Sequence, residues 1–358
     1  MKQVAVLGLG LVGSLALAWS VYTDDGEGPP EGAIALYADP GDALSSLQWE
    51  EEGATVLIES KRDRHGEYLW VSVTEEEPIP TAAPPAPEDA DSEATVAPPA
   101  PEDTDSDAVV DTDTEADTEA ARPTEPVTRS FKGNLQATEL WATFSPLYAL
   151  RDLSSGASST AFGLDNPEAT ITVTIDGVAT ELQIGGETFG NRDRYVGRGE
   201  QVFLVDDGDL RPLQFAKTRL VERGLLPYGQ PDVAQITLRG NGTEATWLHQ
   251  DRELRGADYW AREATPDDGD EAVKDWMRKL LSVRAQAYVL EDELDHALEP
   301  VLTYTVTGDD GAWTVEVLRE STDGDNGRWY ARSEYTRSLV ELTRSLAVDA
   351  FMDMDVVL

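Results

Sequence analysis

The stretch Asp323-Gly324-Asp325-Asn326-Gly327 has the acidic ligands and the glycine turn expected of a calcium loop. Such loops alternate oxygen ligands along the chain, and a Glu at the twelfth position closes the site. Counted from Asp323, that position is Glu334, but Gly327 stands where a third ligand belongs. Asn-Gly is also a favourable hairpin turn. The sequence therefore favours a turn, with Asp323, Asp325 and Glu334 as the ligands of a calcium alternative.

Other reactive residues form no recognisable catalytic pattern. The chain has no cysteine, and its three histidines, His65, His249 and His296, are too far apart for a zinc motif. No G-x-S-x-G nucleophile motif is present. With 69 acidic residues, neighbouring carboxylates indicate little about acid–base chemistry. We therefore expect a non-enzymatic protein with no catalytic residue and no cofactor. Two alternatives remain open, an exported hydrolase using acidic residues and a calcium-stabilised adhesion module.

The N-terminal run at residues 4–22 is uncharged and includes the pattern G-x-G-x-x-G at 8–13. In a dinucleotide site this pattern opens a helix, and an acidic residue follows about 20 positions later. Two glycines and the pair Pro29-Pro30 interrupt any such helix. About 20 apolar residues suffice to cross a bilayer, so the run favours a membrane segment over a nucleotide site.

The charges around this run indicate its orientation. Lys2 precedes it, and acidic residues follow it, which favours a cytoplasmic N-terminus and an external body. Ala16-Leu17-Ala18 would suit a signal peptidase, although we favour an uncleaved anchor. The sequence predicts a single-pass protein of the bacterial inner membrane, anchored through residues 4–22, with its body in the periplasm or extracytoplasmic space.

The net charge of −41 restricts the partners of this protein. Much of the excess lies in residues 80–126, which hold fourteen acidic residues and one Arg and include a tandem proline-rich near-repeat. Such a segment cannot bury enough apolar surface to fold, so we expect a disordered linker. The remaining chain is also acidic and should repel phosphate backbones, which excludes nucleic acid as a partner.

Apolar periodicity predicts the folded elements. Strand-like runs at 55–60 and 67–73 read as a hairpin, and helical spacing follows over 135–153. A meander is predicted over 169–205, with Asp176-Gly177 as its first turn, and then a helix over about 212–223. The pattern then restarts, with strands at 233–238 and 243–248, a helix over about 272–281, a meander over 303–332 and a helix over about 337–351.

This order predicts an α+β fold: a duplicated unit of antiparallel hairpin or meander with packed helices. The domain boundaries we expect are a membrane anchor or signal segment at 1–23, a first hairpin part at 24–79, the linker at 80–128, a first α+β unit at 129–229 and a second at 230–358.

Two motifs carry a resemblance to a known family, A-F-G-L-D-N-P at 161–167 and R-L-V-E-R-G-L-L-P-Y at 219–228. Together with the strands between them, they resemble the bacterial domain-of-unknown-function 4340 family. The resemblance implies an N-terminal membrane helix, an extracytoplasmic α+β body and, for some members, a place beside gliding-type ATP-binding-cassette transporters. It implies transporter subunits or other envelope proteins as partners and assigns no catalytic residue. The motif positions expected to be structural are Gly163, Leu164, Pro167, Arg219, Leu226 and Trp260.

Overall fold

The computed structural model describes residues 32–79, 124–155, 159–190, 192–254, 256–294, 296–309, 311–321 and 327–358. About half of them lie in antiparallel strands, and a smaller share lies in helices, so the predicted α+β class is confirmed. Within these residues no helix is long and apolar enough to cross a bilayer. The predicted anchor at 4–22 lies outside the described residues, as does the predicted linker up to residue 123. The predicted end of the linker at 128 is wrong, because residues 124–128 belong to a strand that spans Thr124–Lys132 and pairs with the first sheet.

The first half of the chain contains eleven described strands and three helices. The strands are β1 (Ile34–Ala35), β2 (Leu44–Glu51), β3 (Ala54–Asp63), β4 (Gly66–Pro78), β5 (Thr124–Lys132), β6 (Tyr148–Ala149), β7 (Arg151–Asp152), β8 (Ala169–Ile175), β9 (Val178–Glu187), β10 (Asp193–Arg198) and β11 (Gln201–Asp206). The helices are α1 (Leu135–Thr143), α2 (Asp207–Gln214) and α3 (Ala216–Arg219).

The second half begins at residue 230. Its described strands are β12 (Val233–Gly240), β13 (Thr243–Gln250), β14 (Tyr259–Arg262), β15 (Ala285–Tyr288), β16 (Leu298–Gly308), β17 (Gly311–Glu320), β18 (Trp329–Ser333) and β19 (Leu339–Leu342). Its helices are α4 (Glu271–Ser282) and α5 (Arg344–Phe351).

The two large sheets share one strand order. The first runs β5-β4-β3-β2-β8-β9-β10-β11-β7, and the second runs β14-β13-β12-β16-β17-β18-β19-β15. In chain order, each half has a three-strand meander, a helix, an edge strand and a four-strand meander. The first strand of the four-strand meander pairs with the first strand of the three-strand meander, β8 with β2 and β16 with β12. The first sheet differs by its additional edge strand, β5.

Contacts divide the chain into two compact units. One comprises 1–74 and 128–358 and therefore contains the greater part of both sheets, and the other comprises 75–127. The described part of the second unit consists of the outer ends of β4 and β5, where the Thr124 hydroxyl donates to Glu76 Oε2 at 3.0 Å.

Each large sheet buries one face under its helices because apolar residues alternate along the strands. The first core centres on Trp49, Ile171 and Phe144. The second core centres on Trp260, Trp276 and Phe351. Trp276 lies on α4, and its Nε1 donates to the carbonyl of Ala350 on α5 at 2.7 Å, which ties the two covering helices together.

Local sequence signals predicted most of the strands and helices, but two helices are shorter than predicted. The helix expected over 135–153 ends at Thr143, because Pro146 offers no backbone N–H and disfavours helical geometry before it. The helix expected over 337–351 begins only at Arg344. Residues 339–342 form β19 instead, paired with β15 and β18. Val340 and Leu342 pack in the second core, and Leu339 packs in a separate small cluster with Leu318 and Tyr330.

The helix predicted at 212–223 is also displaced. It begins at Asp207, capped by the Asp206 side chain, which accepts from the backbone N of Gly208. Helix α3 ends at Arg219, and the chain then becomes extended. This extended stretch, residues 219–229, builds the site described below.

Candidate functional site

Only one of the three calcium candidates falls within the described residues. Asp323 and Asp325 lie outside them, whereas Glu334 follows β18. The Glu334 carboxylate accepts from the Arg64 guanidinium, and from the backbone N of Thr314 at 3.2 Å. Among the described residues no group of three or more His, Cys, Asp or Glu could hold a metal. The observed role of Glu334 is thus to bind Arg64 of the β3–β4 turn.

Gly163, Leu164 and Pro167 form the turn that leads into β8. A Cβ on Gly185 of β9 would overlap the carbonyl oxygen of Phe162, so only glycine admits this turn there. The Leu164 side chain is buried against Gly185 and against Gly197 of β10. Pro167 is half-buried immediately before β8. The motif A-F-G-L-D-N-P therefore packs a turn onto glycines of the first sheet, which explains the spacing of its residues.

Trp260 of β14 is fully buried, and its Nε1 has no hydrogen-bond partner in the described structure. The ring of His249 stacks on it, with centroids 4.5 Å apart. His249 Nδ1 lies 2.9 Å from the carbonyl of Val233, and its Nε2 lies 3.3 Å from Asp258 Oδ2. Burial opposes ionisation of Asp258, but hydrogen bonds from His249 and Lys274 hold the pKa of its carboxyl below the usual value.

Arg219 and Leu226 belong to the extended stretch 219–229, which joins the two halves. Val221 forms an isolated bridge with Gly133 at the end of β5, and Gly224 forms another with Arg284 just before β15. Leu226 packs on the second core, while the side chain of Arg219 is exposed. The stretch is thus fixed to an edge of each half by its own backbone.

A cleft of about 640 Å³ lies along this stretch. We call it the junction cleft. It is lined by the stretch 219–229 together with side chains of α1, the end of α4 and β16. The lining residues that matter for binding are Gln136, Arg219, Glu222, Arg223, Arg284 and Tyr304.

Beneath the junction cleft lies a buried charged cluster centred on Glu222. Its Oε2 accepts from the Tyr335 hydroxyl at 3.0 Å and lies 3.8 Å from Lys132 Nζ, and its Oε1 accepts from the backbone N of Gly224 at 2.7 Å. The Tyr288 hydroxyl donates to the Glu222 carbonyl at 3.0 Å. Glu222 therefore joins β5, β15 and the loop after β18 in one network.

Lys132 is the cation of this cluster, and its environment lowers its pKa. Its ammonium lies 3.7 Å from the centroid of the Tyr335 ring, a cation–π contact. Burial lowers the pKa of Lys132 to about 8, with Glu222 opposing the change and Arg337 adding to it. Burial also raises the pKa of Tyr335 and of Tyr288, with Glu222 contributing in both cases.

Sequence reasoning did not single out Lys132, Glu222 or Tyr335 as a set. Glu222 and Tyr335 are separated by 113 positions, so no short motif contains both. The available signal was indirect, since Glu222 stands inside the motif R-L-V-E-R-G-L-L-P-Y.

The fold and this cleft together define a class: an antiparallel α+β protein of two sheets with a common strand order, joined around a cleft. The family model of a domain of unknown function, DUF4340, matches residues 145–300. This confirms the resemblance found in the sequence, over a region that includes the end of the first half, the stretch 219–229 and the start of the second half. No curated protein and no solved structure gives a significant match to the chain.

Proposed function

We propose that this protein is a non-enzymatic, membrane-tethered binding or scaffolding protein of the bacterial envelope. In this proposal residues 4–22 are the tether, the body lies outside the inner membrane, and the junction cleft is its binding site. The observation that carries the proposal is the position of that cleft, which is framed by residues 219–229 inside the region matched by the family model.

The shape of the junction cleft supports binding. Its volume, about 640 Å³, falls within the range of pockets that hold small ligands or side chains of a partner. Its walls come from separate elements that are each fixed, by the bridges of Val221 and Gly224 and by the network of Glu222. A pre-formed cleft loses little conformational entropy on binding, which favours affinity.

The sequence supports the tether and the transporter association. Residues 4–22 carry no charge and are long enough to cross a bilayer, and the acidic residues after them favour an external body. The acidic residues of the segment 80–123 would add to the negative charge of the extracytoplasmic part of the protein. The resemblance to transporter-associated family members supports a permease or its ATPase as the partner.

A crosslinked pull-down from native membranes tests the proposal, with the full chain tagged at its C-terminus. Gln136 is exposed on α1 and lines the junction cleft, so Gln136→Trp should obstruct it. Thr138 is exposed about 200° further round the same helix, which makes Thr138→Trp a matched control. We expect wild type and Thr138→Trp to recover permease and ATPase subunits and Gln136→Trp to recover fewer. Recovery of the bait alone from all three would reject the proposal.

A further inference from the structure

Three arginines line the junction cleft and lack an acidic partner. Arg219 ends α3, Arg223 lies in the stretch 219–229, and Arg284 precedes β15. In the described part of the chain none of the three forms a salt bridge. This differs from other arginines of the same protein, such as Arg239 with Glu244 at 2.8 Å and Arg252 with Asp309 at 2.7 Å.

The total charge makes this arrangement unexpected. The chain has 69 acidic and 28 basic side chains, so acidic neighbours are abundant for any exposed arginine. Three guanidiniums facing one cleft repel each other unless an anion lies between them. A cationic cleft in a strongly acidic protein also concentrates the field on one site, and anionic ligands would be drawn there.

The single acidic side chain of the cleft does not neutralise these arginines. Glu222 is engaged by Lys132, by the Tyr335 hydroxyl and by the backbone N of Gly224. Its charge is thus already balanced within the buried cluster, and the three arginines keep theirs.

Hydrogen-bond donors remain for a ligand. Within the part of the chain that the structure describes, Arg223 donates only through Nη1, to the carbonyls of Ala285 and Gln286 at 3.4 and 3.1 Å. Within the same residues Arg284 also donates only through Nη1, to the carbonyls of Leu281 and Val283 at 2.9 and 3.0 Å. Tyr304 is buried at the cleft wall.

We propose that the junction cleft binds an oxyanion, a phosphate or carboxylate group of its ligand, through Arg219, Arg223 and Arg284. Guanidinium groups recognise such anions by paired, charge-assisted hydrogen bonds, which the free Nε and Nη2 donors would supply. The inference rests on the proposed function only in placing the binding site in the same cleft.

Calorimetric titration of the full chain in detergent, with pyrophosphate and with citrate as probes, tests the proposal. We expect saturable binding at one site, and a loss of about tenfold in affinity for each of Arg219→Gln, Arg223→Gln and Arg284→Gln. Arg239→Gln removes the same charge from a paired arginine outside the cleft and should bind like wild type. Tighter binding of pyrophosphate would assign a phosphate ligand, and tighter binding of citrate a carboxylate ligand.

Arg219→Gln is the deciding variant, because Arg219 donates no hydrogen bond within the described structure, whereas Arg223 and Arg284 also support backbone carbonyls. No saturable binding by the wild type, or equal affinity in Arg219→Gln and Arg239→Gln, would overturn the inference. If membrane partners are still recovered in that case, the proposed function stands without it. If anions bind but no partner is recovered, the inference stands and the proposed function fails.

Discussion

The carboxylate of Asp63 accepts two hydrogen bonds from the guanidinium of Arg337, at 2.6 Å from Nε and 3.3 Å from Nη2, although 274 positions separate the two residues. Arg337 also lies over the ring of Tyr68 at 3.9 Å. Next to this pair, His65 stacks on Trp313 with centroids 4.1 Å apart. The turn between β3 and β4 is thus held against the loop between β18 and β19 and supports the junction between the two sheets.

Removing this pair should destabilise the fold. The side chains are 31% and 12% exposed, so their interaction is partly protected from solvent. We expect a double-mutant cycle of Asp63→Asn and Arg337→Gln, followed by urea unfolding at pH 7, to give a coupling of about 1 kcal/mol. Additive effects of the two substitutions would contradict the observed pairing.

The contribution of Asp63 should also depend on pH. The hydrogen bond from Arg337 holds the pKa of Asp63 below its ordinary value of 3.8. A carboxyl with a lowered folded pKa stabilises the protein above its unfolded pKa, and this stability is lost as the pH falls through the folded value. The stability lost in Asp63→Asn should therefore be greater at pH 7 than at pH 3. An equal loss at both pH values would show that charge is not involved.

The contribution of Lys132 should also rise with pH, but in the alkaline range. Its folded pKa is about 8 against an ordinary 10.5, so between these values the unfolded chain keeps a proton that the folded protein has released. Stability therefore rises with pH in this window. The unfolding free energy of wild type minus that of Lys132→Met should increase from pH 7 to pH 10, by up to about 3 kcal/mol.

The control for this experiment is Lys279→Met. Lys279 is 43% exposed and 3.8 Å from Asp353, so Lys279→Met removes a lysine whose charge is not buried. An increase for Lys132→Met no larger than the one measured for Lys279→Met would mean that the folded pKa of Lys132 is not lowered.

The turn at 161–167 predicts contrasting effects at two adjacent glycines of β9. Gly185→Ala would place a methyl group against the carbonyl of Phe162 and should cost about 3 kcal/mol, since the backbone must move. A Cβ on Gly186 would meet no atom within 4 Å, so Gly186→Ala should change stability by less than about 1 kcal/mol. Thermal unfolding of both variants checks this, and similar melting temperatures would contradict the packing of Leu164 and Phe162 on Gly185.

Arg194 of β10 provides a test of buried charge. It donates to Asp207 Oδ1 at 2.7 Å and to Glu187 Oε1 at 3.0 Å, and both Arg194 and Asp207 are buried. Arg194→Leu leaves these carboxylates without their main partner and should cost about 4 kcal/mol. Arg211 pairs with the same Asp207 at 3.0 Å but is half exposed, so Arg211→Leu should cost less than about 1 kcal/mol. Urea unfolding of the two variants should separate them; equal losses would show that burial does not set the cost.

Local structure could be predicted from the sequence wherever the signal lay within a few residues. Asp176-Gly177 and Asn241-Gly242 adopt positive φ in two tight hairpin turns, as their types indicate. Asp270 caps α4 by accepting from the backbone N of Ala272 and Val273, a role that aspartate favours just before a helix. Each of these features depends on a side chain and a backbone group only a few positions apart.

The sequence by itself therefore determined the turns, most of the strands, the antiparallel α+β class and the resemblance to the family. Tertiary structure decided that 339–342 is a strand, because these residues lie between β18 and β15, where their apolar side chains are buried in two separate clusters. It also decided the junction cleft, since Lys132, Glu222 and Tyr335 come together only when β5, the stretch 219–229 and the loop after β18 are packed. Burial and charge at such a site depend on distances between residues that are far apart in the sequence, and these distances are fixed only when the chain folds.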